Sequence, residues 1–456
     1  MKKIHFVGIK GTGMSALAQL YARMGYEVSG SDSQEVFFTD ELLSNAGITY
    51  IGLPSPEKVD HVDLVVHSSA YNHEHIEIRR ALELGLPVYT YPELLGQITK
   101  ERPAVLISGT HGKTTTTSMI GALLTHHDLD PMVVIGSKNY NIGSNARFGD
   151  GMLVAEACEY KRNFLNYSPK MLIVNNIDFD HPDYFKDHDD VHLAFQQMVD
   201  KLPDDGLLIA CGDDSRCRML KTNAKVLYFG LQANNDIYAT NIDEARGVLR
   251  FEVWAGSEPL GTVQFRSLGQ HNVLNALATI ALARHLNIPF AKVQASLKDF
   301  QGVYRRFDYL GRLGKMELYD DYAHHPNEIQ TTLRAVKNSF PDDRLITVFQ
   351  PHTYSRTKKF LQEFADSLTL SDEVLLVKLF SSAREADPGD QLSEQLADAI
   401  RERGKAVTFV EDLDQGSAYL RQYAQDRQGI VLTMGAGNVR GIGEDSLSLL
   451  MESKSE

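Results

Sequence analysis

The stretch AVLISGTHGKTTTT, from Ala104 to Thr117, places a glycine-flanked lysine and a run of hydroxyl side chains directly after a short apolar strand. In a strand–loop–helix unit of this kind, loop N–H groups point inward and the helix presents its positive end. Lys113 adds a point charge, and the Thr114 hydroxyl can reach a magnesium ion. The stretch therefore predicts a phosphate-binding loop, which comprises Gly109, Thr110, His111, Gly112, Lys113, Thr114 and Thr115.

The spacing of this loop departs from the usual pattern GxxxxGK[ST]. Ile107 stands where the first glycine belongs, and the glycine is found at Gly109 instead. The loop is thus a shortened variant, and an ordinary glycine turn that carries an exposed lysine is the alternative.

Composition limits the classes of protein that fit the chain. A chain of 456 residues, 43% of them hydrophobic, can bury several cores, and we expect three domains. The formal charge of -14 argues against nonspecific nucleic-acid binding. Three cysteines at unsuitable spacing favour a reducing compartment over a disulfide framework, and no stretch is apolar enough for membrane insertion. The sequence therefore predicts a cytoplasmic protein.

Apolar runs alternate with helical segments along most of the chain, which predicts an α/β fold. The first domain is expected at 1–101, the second at 102–302 and the third at 303–456. Within the third domain, alternation that begins at Lys315 predicts a parallel sheet.

A second glycine turn, GIKGTG at 8–13, follows the first strand, and Asp32 comes at the interval usual for a ribose contact. Lys10 occupies the second glycine position of the dinucleotide fingerprint, where its amine could pair with a diphosphate. The turn fits a dinucleotide site, a site for a diphosphate-linked sugar nucleotide, or a purely structural turn.

Acidic residues and a histidine follow two apolar strands. Glu156 and Glu159 lie in VAEACEY, and His181 lies in NNIDFDHPDYF. Ligands of open α/β sheets gather beyond the carboxyl ends of strands, so we expect these side chains to face the phosphate loop. Their oxygens suit magnesium, whereas a solvated acidic loop is the alternative and is preferred for Asp187, Asp189 and Asp190.

Four later motifs carry polar side chains at the ends or boundaries of predicted elements. GQHNVLNALA begins a helix with Asn272 and Asn275, which would cap the helix or bond a base edge. Arg305 and Arg306 stand at the second boundary, as hinge or linker charges. DDYAHHP and QPHTYSRT end two strands, and their charged residues together indicate a site, although each histidine singly suits a structural role.

In this order, the motifs GTHGKT, EACEY, NNIDFDH, HNVLNALA, RRF, DDYAHHP and QPHTYSRT resemble those of the Mur ligases, and the resemblance covers essentially the whole chain. It implies a Rossmann-like domain for a UDP-linked substrate, a central ATPase domain of the P-loop type, and a Rossmann-like C-terminal domain that closes on an amino acid.

The resemblance also implies roles for individual residues. Lys113 would contact the β and γ phosphates of ATP, while Thr114, Glu156 and His181 would hold Mg²⁺. The remaining roles concern binding of substrates: Asn272 and Asn275 for adenine, Arg306 for a phosphate, Asp321 for the ribose or the closed-domain network, His325 and Arg356 for the incoming amino acid, and Gly11, Gly13, Ser68 and Ser69 for the UDP-sugar.

Two departures bear on the branch of the family. Relatives that add acidic or diamino residues carry a carbamylated lysine about fifteen residues after the DH histidine, a register that here falls on Gln196. This favours the branch that joins L-alanine to UDP-N-acetylmuramate through an acyl phosphate, or its tripeptide-recycling relative. Thr353 stands where that branch often has an arginine, which leaves Arg356 as the cation.

Two alternatives come from other functional classes. A nicotinamide-dependent dehydrogenase would use the first glycine turn but has no use for GTHGKT, and a catalytically silent UDP-sugar-binding regulator would bind the sugar without ATP turnover. The sequence does not determine an oligomeric state.

Overall fold

The computed structural model describes residues 2–181, 184–380 and 391–452, in which three separate sheets are found. Each sheet lies within one of the three predicted segments, so the α/β class with three domains is confirmed. The boundary positions themselves stay predictions.

The first sheet is parallel, in the order β3-β2-β1-β4-β5. Its strands are β1 (Lys3–Val7), β2 (Glu27–Ser31), β3 (Thr49–Ile51), β4 (Leu64–His67) and β5 (Val88–Thr90). Its helices are α1 (Thr12–Arg23), α2 (Phe38–Asn45), α3 (Ile76–Glu83) and α4 (Tyr91–Glu101), with a 3₁₀ turn at Pro56–Val59. The strand order reverses between β1 and β4, and ligands of such sheets bind at this switch point.

The second sheet is longer, in the order β15-β14-β13-β12-β11-β10-β6-β9-β7-β8. Its strands are β6 (Ala104–Ser108), β7 (Met132–Asn139), β8 (Ser144–Arg147), β9 (Leu153–Glu156), β10 (Met171–Val174), β11 (Leu207–Cys211), β12 (Lys225–Gly230), β13 (Ile237–Ala245), β14 (Val248–Ala255) and β15 (Glu258–Arg266). Its helices are α5 (Lys113–His126), α6 (His188–Val199), α7 (Ser215–Arg218), α8 (Gln270–His285) and α9 (Phe290–Lys298), with a 3₁₀ segment at Tyr160–Asn166.

The wholly buried strand β6 pairs in parallel with β10 on one side and β9 on the other. The loops that follow these three strands therefore emerge at one edge of the sheet. Strand β8 lies at the edge of the sheet, with β7 beside it. Neither strand was predicted: the apolar run MVVI at 132–135 is short, and the stretch SKNYNIGSNAR that follows is polar.

The third sheet has the order β16-β17-β21-β18-β19-β20. Its strands are β16 (Asp308–Leu313), β17 (Lys315–Asp321), β18 (Arg344–Phe349), β19 (Glu373–Val377), β20 (Ala406–Val410) and β21 (Gln428–Met434). Its helices are α10 (Pro326–Ser339), α11 (Tyr354–Lys359), α12 (Leu361–Leu368), α13 (Leu392–Glu402), α14 (Leu413–Tyr423) and α15 (Arg440–Glu452).

The prediction that this sheet is purely parallel and begins at Lys315 was wrong at its edge. Strand β16 precedes Lys315 and runs antiparallel to β17. Gly314, with φ at 61°, allows the tight turn between the two strands. A hairpin of this kind needs no helical crossover, so the alternation of strands and helices gave no sign of it.

The first two sheets form one compact unit, and the third sheet forms another. The second unit also includes residues 243–249 and 266–269, at the ends of strands β13 to β15. Apolar clusters cover both faces of its sheet, with Phe349 and Leu432 in one cluster and Ile346 and Val431 in the other. In the described parts of the chain, no helix has both the length and the apolar composition needed to cross a bilayer.

The buried carboxylate of Glu77 contacts several parts of the first sheet, close to its glycine turn. Glu77 on α3 accepts hydrogen bonds from the Ser31 hydroxyl and from Ser55 N–H at 2.9 Å, and its Oε1 lies 3.4 Å from His5 Nε2. Burial by itself raises the pKa of Glu77, but the bonds from His5, Ser31 and Ser55 outweigh burial, so the pKa lies below its usual value. The Ser31 carbonyl in turn accepts the Gly8 N–H at 2.8 Å. Glu77 therefore supports the turn that leads into α1.

We expect Glu77→Ala to lower the free energy of unfolding by about 3–5 kcal/mol, because it leaves His5 and two hydroxyl or N–H donors without their buried partner. Urea unfolding measures the change, and Glu74→Ala, an exposed glutamate before the same helix, should change it by less than about 0.5 kcal/mol. Because the folded pKa is depressed, the contribution of Glu77 is present above its unfolded pKa and is lost as pH falls through the folded value. Equal effects of the two substitutions would contradict this role.

Candidate active site

The predicted phosphate loop connects β6 to α5 through two glycines in left-handed or extended positive-φ conformations. Gly109 has φ of 129° and Gly112 has φ of 82°. Helix α5 begins at Lys113. Its N-cap is Gly112, and no side chain of the described residues forms a capping hydrogen bond there. The first N–H groups of α5 are therefore available to an anion, which the helix dipole also favours.

The Lys113 ammonium is held inside this loop. Its Nζ donates to Gly109 O at 2.5 Å and to Thr110 O at 3.1 Å, and it forms an ion pair with Glu159 Oε2 at 3.0 Å. The side chain of Glu159 is only 2% exposed. Burial lowers the pKa of Lys113, but Glu159 together with Cys158 and Glu156 outweighs burial, and the net shift is upward. Lys113 is thus a fixed positive charge at the helix start.

Thr114 and Glu156 place two oxygen ligands beside one another. Thr114 Oγ1 lies 3.1 Å from Glu156 Oε2, and Gly136 N–H donates to Glu156 Oε1 at 2.5 Å. A hydroxyl and a carboxylate are hard donors that suit Mg²⁺, which commonly takes few protein ligands and completes its shell with water and phosphate oxygens. Among the described residues, no three histidine, cysteine or acidic side chains form a cluster able to hold a metal.

His181 lies beside Glu159, the partner of Lys113. Its Nε2 is 3.9 Å from Glu159 Oε1 and 3.8 Å from Asp180 Oδ2, and its ring centroid is 4.6 Å from that of Tyr160. The structure thus confirms that the loops after β6, β9 and β10 meet. The assignment of His181 to the metal stays a prediction.

Asparagine side chains form hydrogen bonds with the phosphate loop and with helix α5. Asn175 Nδ2 donates to Thr116 Oγ1 at 3.0 Å, the Thr116 hydroxyl donates to Asn275 Oδ1 at 3.1 Å, and Asn275 Nδ2 donates to Asn272 Oδ1 at 2.9 Å. The next residue, Asn176, accepts His111 N–H at 2.8 Å. Sequence reasoning missed Asn175 and Asn176, although the pair directly after β10 was the available signal. Asn272 and Asn275 do reach the loop region, while their contact with adenine stays a prediction.

The N-terminal glycine turn lies at the switch point of the first sheet. Gly11 and Gly13 follow β1, and Ser68 and Ser69 follow the neighbouring strand β4. A Cβ at Gly13 would lie 2.7 Å from the Tyr91 ring, so that position requires glycine. These positions fit a ligand at the strand ends, and their specific contacts with a UDP-sugar stay predictions.

Lys10, which interrupts the dinucleotide fingerprint, directs its amine into the protein. The amine lies 3.0 Å from Asp40 Oδ1 and donates to Glu35 O at 2.6 Å. The Lys10 N–H donates to Asp32 Oδ2 at 2.7 Å. The lysine therefore organises the loop around Asp32, and the suggested pairing of its amine with a diphosphate finds no support in these contacts.

The hairpin of β7 and β8 connects the two halves of the first unit, and sequence reasoning missed it. Asn145, fully buried on β8, donates through Nδ2 to Thr12 O at 2.8 Å and to Ser15 Oγ at 2.9 Å in the first turn of α1. On β7, Gly136 bonds Glu156. One hairpin thus contacts both the start of α1 and the predicted metal ligand.

In the second unit, two aspartates at the end of β17 fix the segment that carries Arg306. Asp320 Oδ2 accepts Arg305 Nε at 3.1 Å, and Asp321 accepts the N–H groups of Phe307 and Ala323, both at 2.9 Å. Burial raises the pKa of Asp321 to about 6, against the opposing effect of Arg306. Arg305 and Phe307 both adopt positive φ, at 61° and 47°, so Arg306 is held between two strained residues.

The two adjacent histidines of DDYAHHP differ in their surroundings. His325, the residue singled out from the sequence, is the N-cap of α10: its Nδ1 accepts Asn327 N–H at 3.4 Å, and its ring packs on Phe360 at 5.0 Å. His324 instead lies close enough to Arg306 and Arg356 for both charges to lower its pKa, after the larger effect of burial. Contact of His325 and Arg356 with an amino acid stays a prediction.

Family models match successive parts of the chain. They are described as the Mur ligase family catalytic domain over residues 3–103, the Mur ligase middle domain over 107–283, and the Mur ligase glutamate ligase domain over 305–437.

Similar proteins extend over nearly the full length. A UDP-N-acetylmuramate–L-alanine ligase of Desulfitobacterium hafniense is 45% identical over 97% of this chain and 98% of its own, and one of Geotalea uraniireducens is 40% identical over 97% of each. Among solved structures, a UDP-N-acetylmuramate–alanine ligase of Thermotoga maritima has a TM-score of 0.87 at 27% identity, over 99% of this chain and 100% of its own. A murein peptide ligase of Psychrobacter arcticus has a TM-score of 0.71 at 25% identity, over 99% of each chain.

We expect Gly112→Ala to weaken binding of ATP more than tenfold, because its Cβ would lie 2.4 Å from Asn275 Oδ1 and 2.9 Å from Asn175 Nδ2 and would displace the loop. Calorimetric titration with ATP measures the affinity. Gly47→Ala is the matched control: Gly47 has a similar φ of 70° but nothing within 4 Å of the added Cβ. If both variants bind ATP like the wild type, the close approach at Gly112 does not shape the loop.

Asp321 should make the free energy of unfolding of the second unit depend on pH. Because its folded pKa, about 6, lies above the ordinary 3.8, its contribution to stability is fully present below the unfolded pKa and is lost as pH rises through about 6. Relative to Asp321→Asn, the wild type should therefore lose unfolding free energy over this window, as measured by urea unfolding from pH 4 to pH 7. The exposed Asp342→Asn should show no such window, and a pH-independent difference between wild type and Asp321→Asn would rule the assignment out.

Proposed function

Because this chain belongs to the Mur ligase family, we propose that it joins L-alanine to the lactyl carboxylate of UDP-N-acetylmuramate in an ATP-dependent ligation. The observation that carries the proposal is its similarity, over nearly the whole length, to relatives that bear this name. The phosphate loop, with Lys113 held at the start of α5, gives the chain a place for the nucleotide phosphates.

A carboxylate is a poor acceptor for an amine at neutral pH, so the reaction needs activation. Transfer of the γ-phosphoryl group of ATP to the lactyl carboxylate would form an acyl phosphate, which the amine of L-alanine then attacks. The loop N–H groups and Lys113 would bind and neutralise the phosphate oxygens during this transfer. Positioning and charge neutralisation supply most of the catalysis in such reactions.

Magnesium belongs to this proposal, and the donor set fits it. Thr114 and Glu156 would hold the ion through their adjacent oxygens, and His181 is the further candidate. When bound, Mg²⁺ would neutralise charge on the nucleotide phosphates. Gly136 N–H, through its bond to Glu156, would orient the carboxylate.

The sugar nucleotide would bind at the switch point of the first sheet, where Gly11, Gly13, Ser68 and Ser69 lie. Asn272, Asn275, Arg306 and Asp321 remain the proposed contacts for ATP, and His325 and Arg356 those for the amino acid. A cytoplasmic location is part of the same proposal and is supported by three cysteines that form no disulfide with one another.

The second candidate is a tripeptide-recycling ligase, which uses the same sugar nucleotide with a larger amine. It is favoured by the structural similarity to the murein peptide ligase, at a TM-score of 0.71. The higher TM-score of 0.87 with the alanine ligase supports L-alanine as the substrate. Gln196 stands in the register of the carbamylated lysine, but its side-chain amide, unlike an amine, forms no carbamate, and it donates to Asp200 and Lys221 instead.

A single assay should test function and chemical path together. With UDP-N-acetylmuramate labelled with heavy oxygen in its lactyl carboxylate, ATP and L-alanine, we expect an amide product and inorganic phosphate that carries one labelled oxygen, as read by mass spectrometry. Lys113→Ala should lower turnover by roughly a hundredfold or more while the UDP-sugar still binds. Product formed with the tripeptide and not with L-alanine would favour the second candidate, and unlabelled phosphate beside amide product would refute the acyl phosphate.

A further inference from the structure

The proposed ligation needs a base that removes a proton from the amino group of the amino acid, and none of the residues discussed so far has that role. The amino group of an amino acid is protonated at neutral pH and lacks the lone pair needed to attack a carbonyl carbon. A group near the bound amino acid must therefore take a proton, and it needs an unprotonated acceptor atom that faces the substrate.

Two ionisable residues of DDYAHHP, Asp321 and His325, already accept hydrogen bonds from backbone N–H groups. Both carboxylate oxygens of Asp321 accept backbone N–H groups, from Phe307 and from Ala323. The Nδ1 atom of His325 accepts Asn327 N–H at the start of α10. Neither residue presents the arrangement expected of a base.

His324 has that arrangement. Its Nδ1 lies 3.0 Å from Tyr322 O and 3.4 Å from Glu328 Oε2. Both partners are acceptors, so Nδ1 must carry the hydrogen, and Nε2 of the neutral imidazole keeps its lone pair. Within the described part of the chain, Nε2 has no hydrogen-bond partner, and the side chain is 24% exposed.

Glu328 is fixed in the position that this orientation needs. Its Oε2 accepts the N–H groups of His324 at 3.1 Å and of His325 at 3.2 Å as part of the capping box of α10. A carboxylate that faces Nδ1 orients an imidazole and stabilises the imidazolium that forms when Nε2 takes a proton.

The charges around His324 suit an amino acid. Arg356 on α11 and Arg306 on the segment before β16 both act on it electrostatically, and the Tyr322 ring packs against it at 5.2 Å. The Arg356 guanidinium forms no hydrogen bond or ion pair with any residue that the structure describes, so it can take a substrate carboxylate. Burial and the two arginines lower the pKa of His324 against the opposing Glu328, which keeps the imidazole neutral at neutral pH.

We propose that His324 is the base that removes a proton from the amino group of the incoming amino acid, with Glu328 as the residue that positions it. The inference rests on the proposed function. One N–H bond of the ammonium breaks and its proton passes to Nε2. The nitrogen then bonds to the acyl carbon, the C–O bond to phosphate breaks with its electron pair on the phosphate, and that phosphate takes the second proton.

The test compares two nucleophiles. Hydroxylamine is largely unprotonated at neutral pH and attacks acyl phosphates without a base, which yields a hydroxamate. In His324→Gln we expect the turnover number with L-alanine to fall about a hundredfold or more, whereas hydroxamate formation from UDP-N-acetylmuramate and ATP stays near the wild-type rate. Glu328→Gln should show a smaller loss confined to L-alanine, and His285→Gln, at the end of α8, should change neither rate.

The pH profile gives an independent readout. With L-alanine, the acidic limb of the wild-type turnover number should reflect the ionisation of His324 as set by Glu328, Arg306 and Arg356, and this limb should be absent in His324→Gln. Full alanine activity in His324→Gln, or equal loss with both nucleophiles, would overturn the inference. If the wild-type protein makes neither amide nor hydroxamate, the proposed function itself has failed.

Discussion

The buried ion pair between Lys113 and Glu159 is the interaction on which the candidate active site depends. An ammonium group inside a protein is costly unless it is paired and hydrogen-bonded. Here the carboxylate comes from the loop after β9, and the carbonyls of Gly109 and Thr110 supply further acceptors. The pair keeps Lys113 charged and fixes the amine at the start of α5. Because β6 and β9 are parallel neighbours, the same contact also sets the spacing of their loops.

Hydrogen bonds of amide side chains connect the region around this ion pair to other parts of the first unit. Asn175 and Asn275 meet at Thr116, directly behind Gly112, where no side chain larger than hydrogen fits. Along the same sheet, the hairpin of β7 and β8 bonds Glu156 through Gly136 and reaches α1 through Asn145. The hairpin therefore contacts both the carboxylate beside the phosphate loop and the start of the helix that follows the N-terminal glycine turn.

The second unit uses the same principle with carboxylates. Asp320 bonds the Arg305 side chain and Asp321 bonds the Phe307 N–H, which holds a short segment in a conformation that its residues would not otherwise prefer. The Arg306 guanidinium thereby lies over the Tyr322 ring, and His324 lies close to the charges of Glu328 and Arg356. Strain of this kind is maintained because several buried hydrogen bonds define each position.

The sequence by itself determined the α/β class, the three domains and the gathering of GTHGKT, EACEY and NNIDFDH at one edge of a sheet. These features depend on local patterns: apolar strands, glycine turns and the rule that parallel strands end at the same edge. Only the tertiary structure decided which neighbours pair. It joined Lys113 to Glu159, turned Lys10 toward Asp40, added strands β7 and β8, and distinguished His324 from His325. Each of these outcomes depends on contacts between residues distant along the chain or on the direction of a side chain, and neither is encoded in spacing or composition.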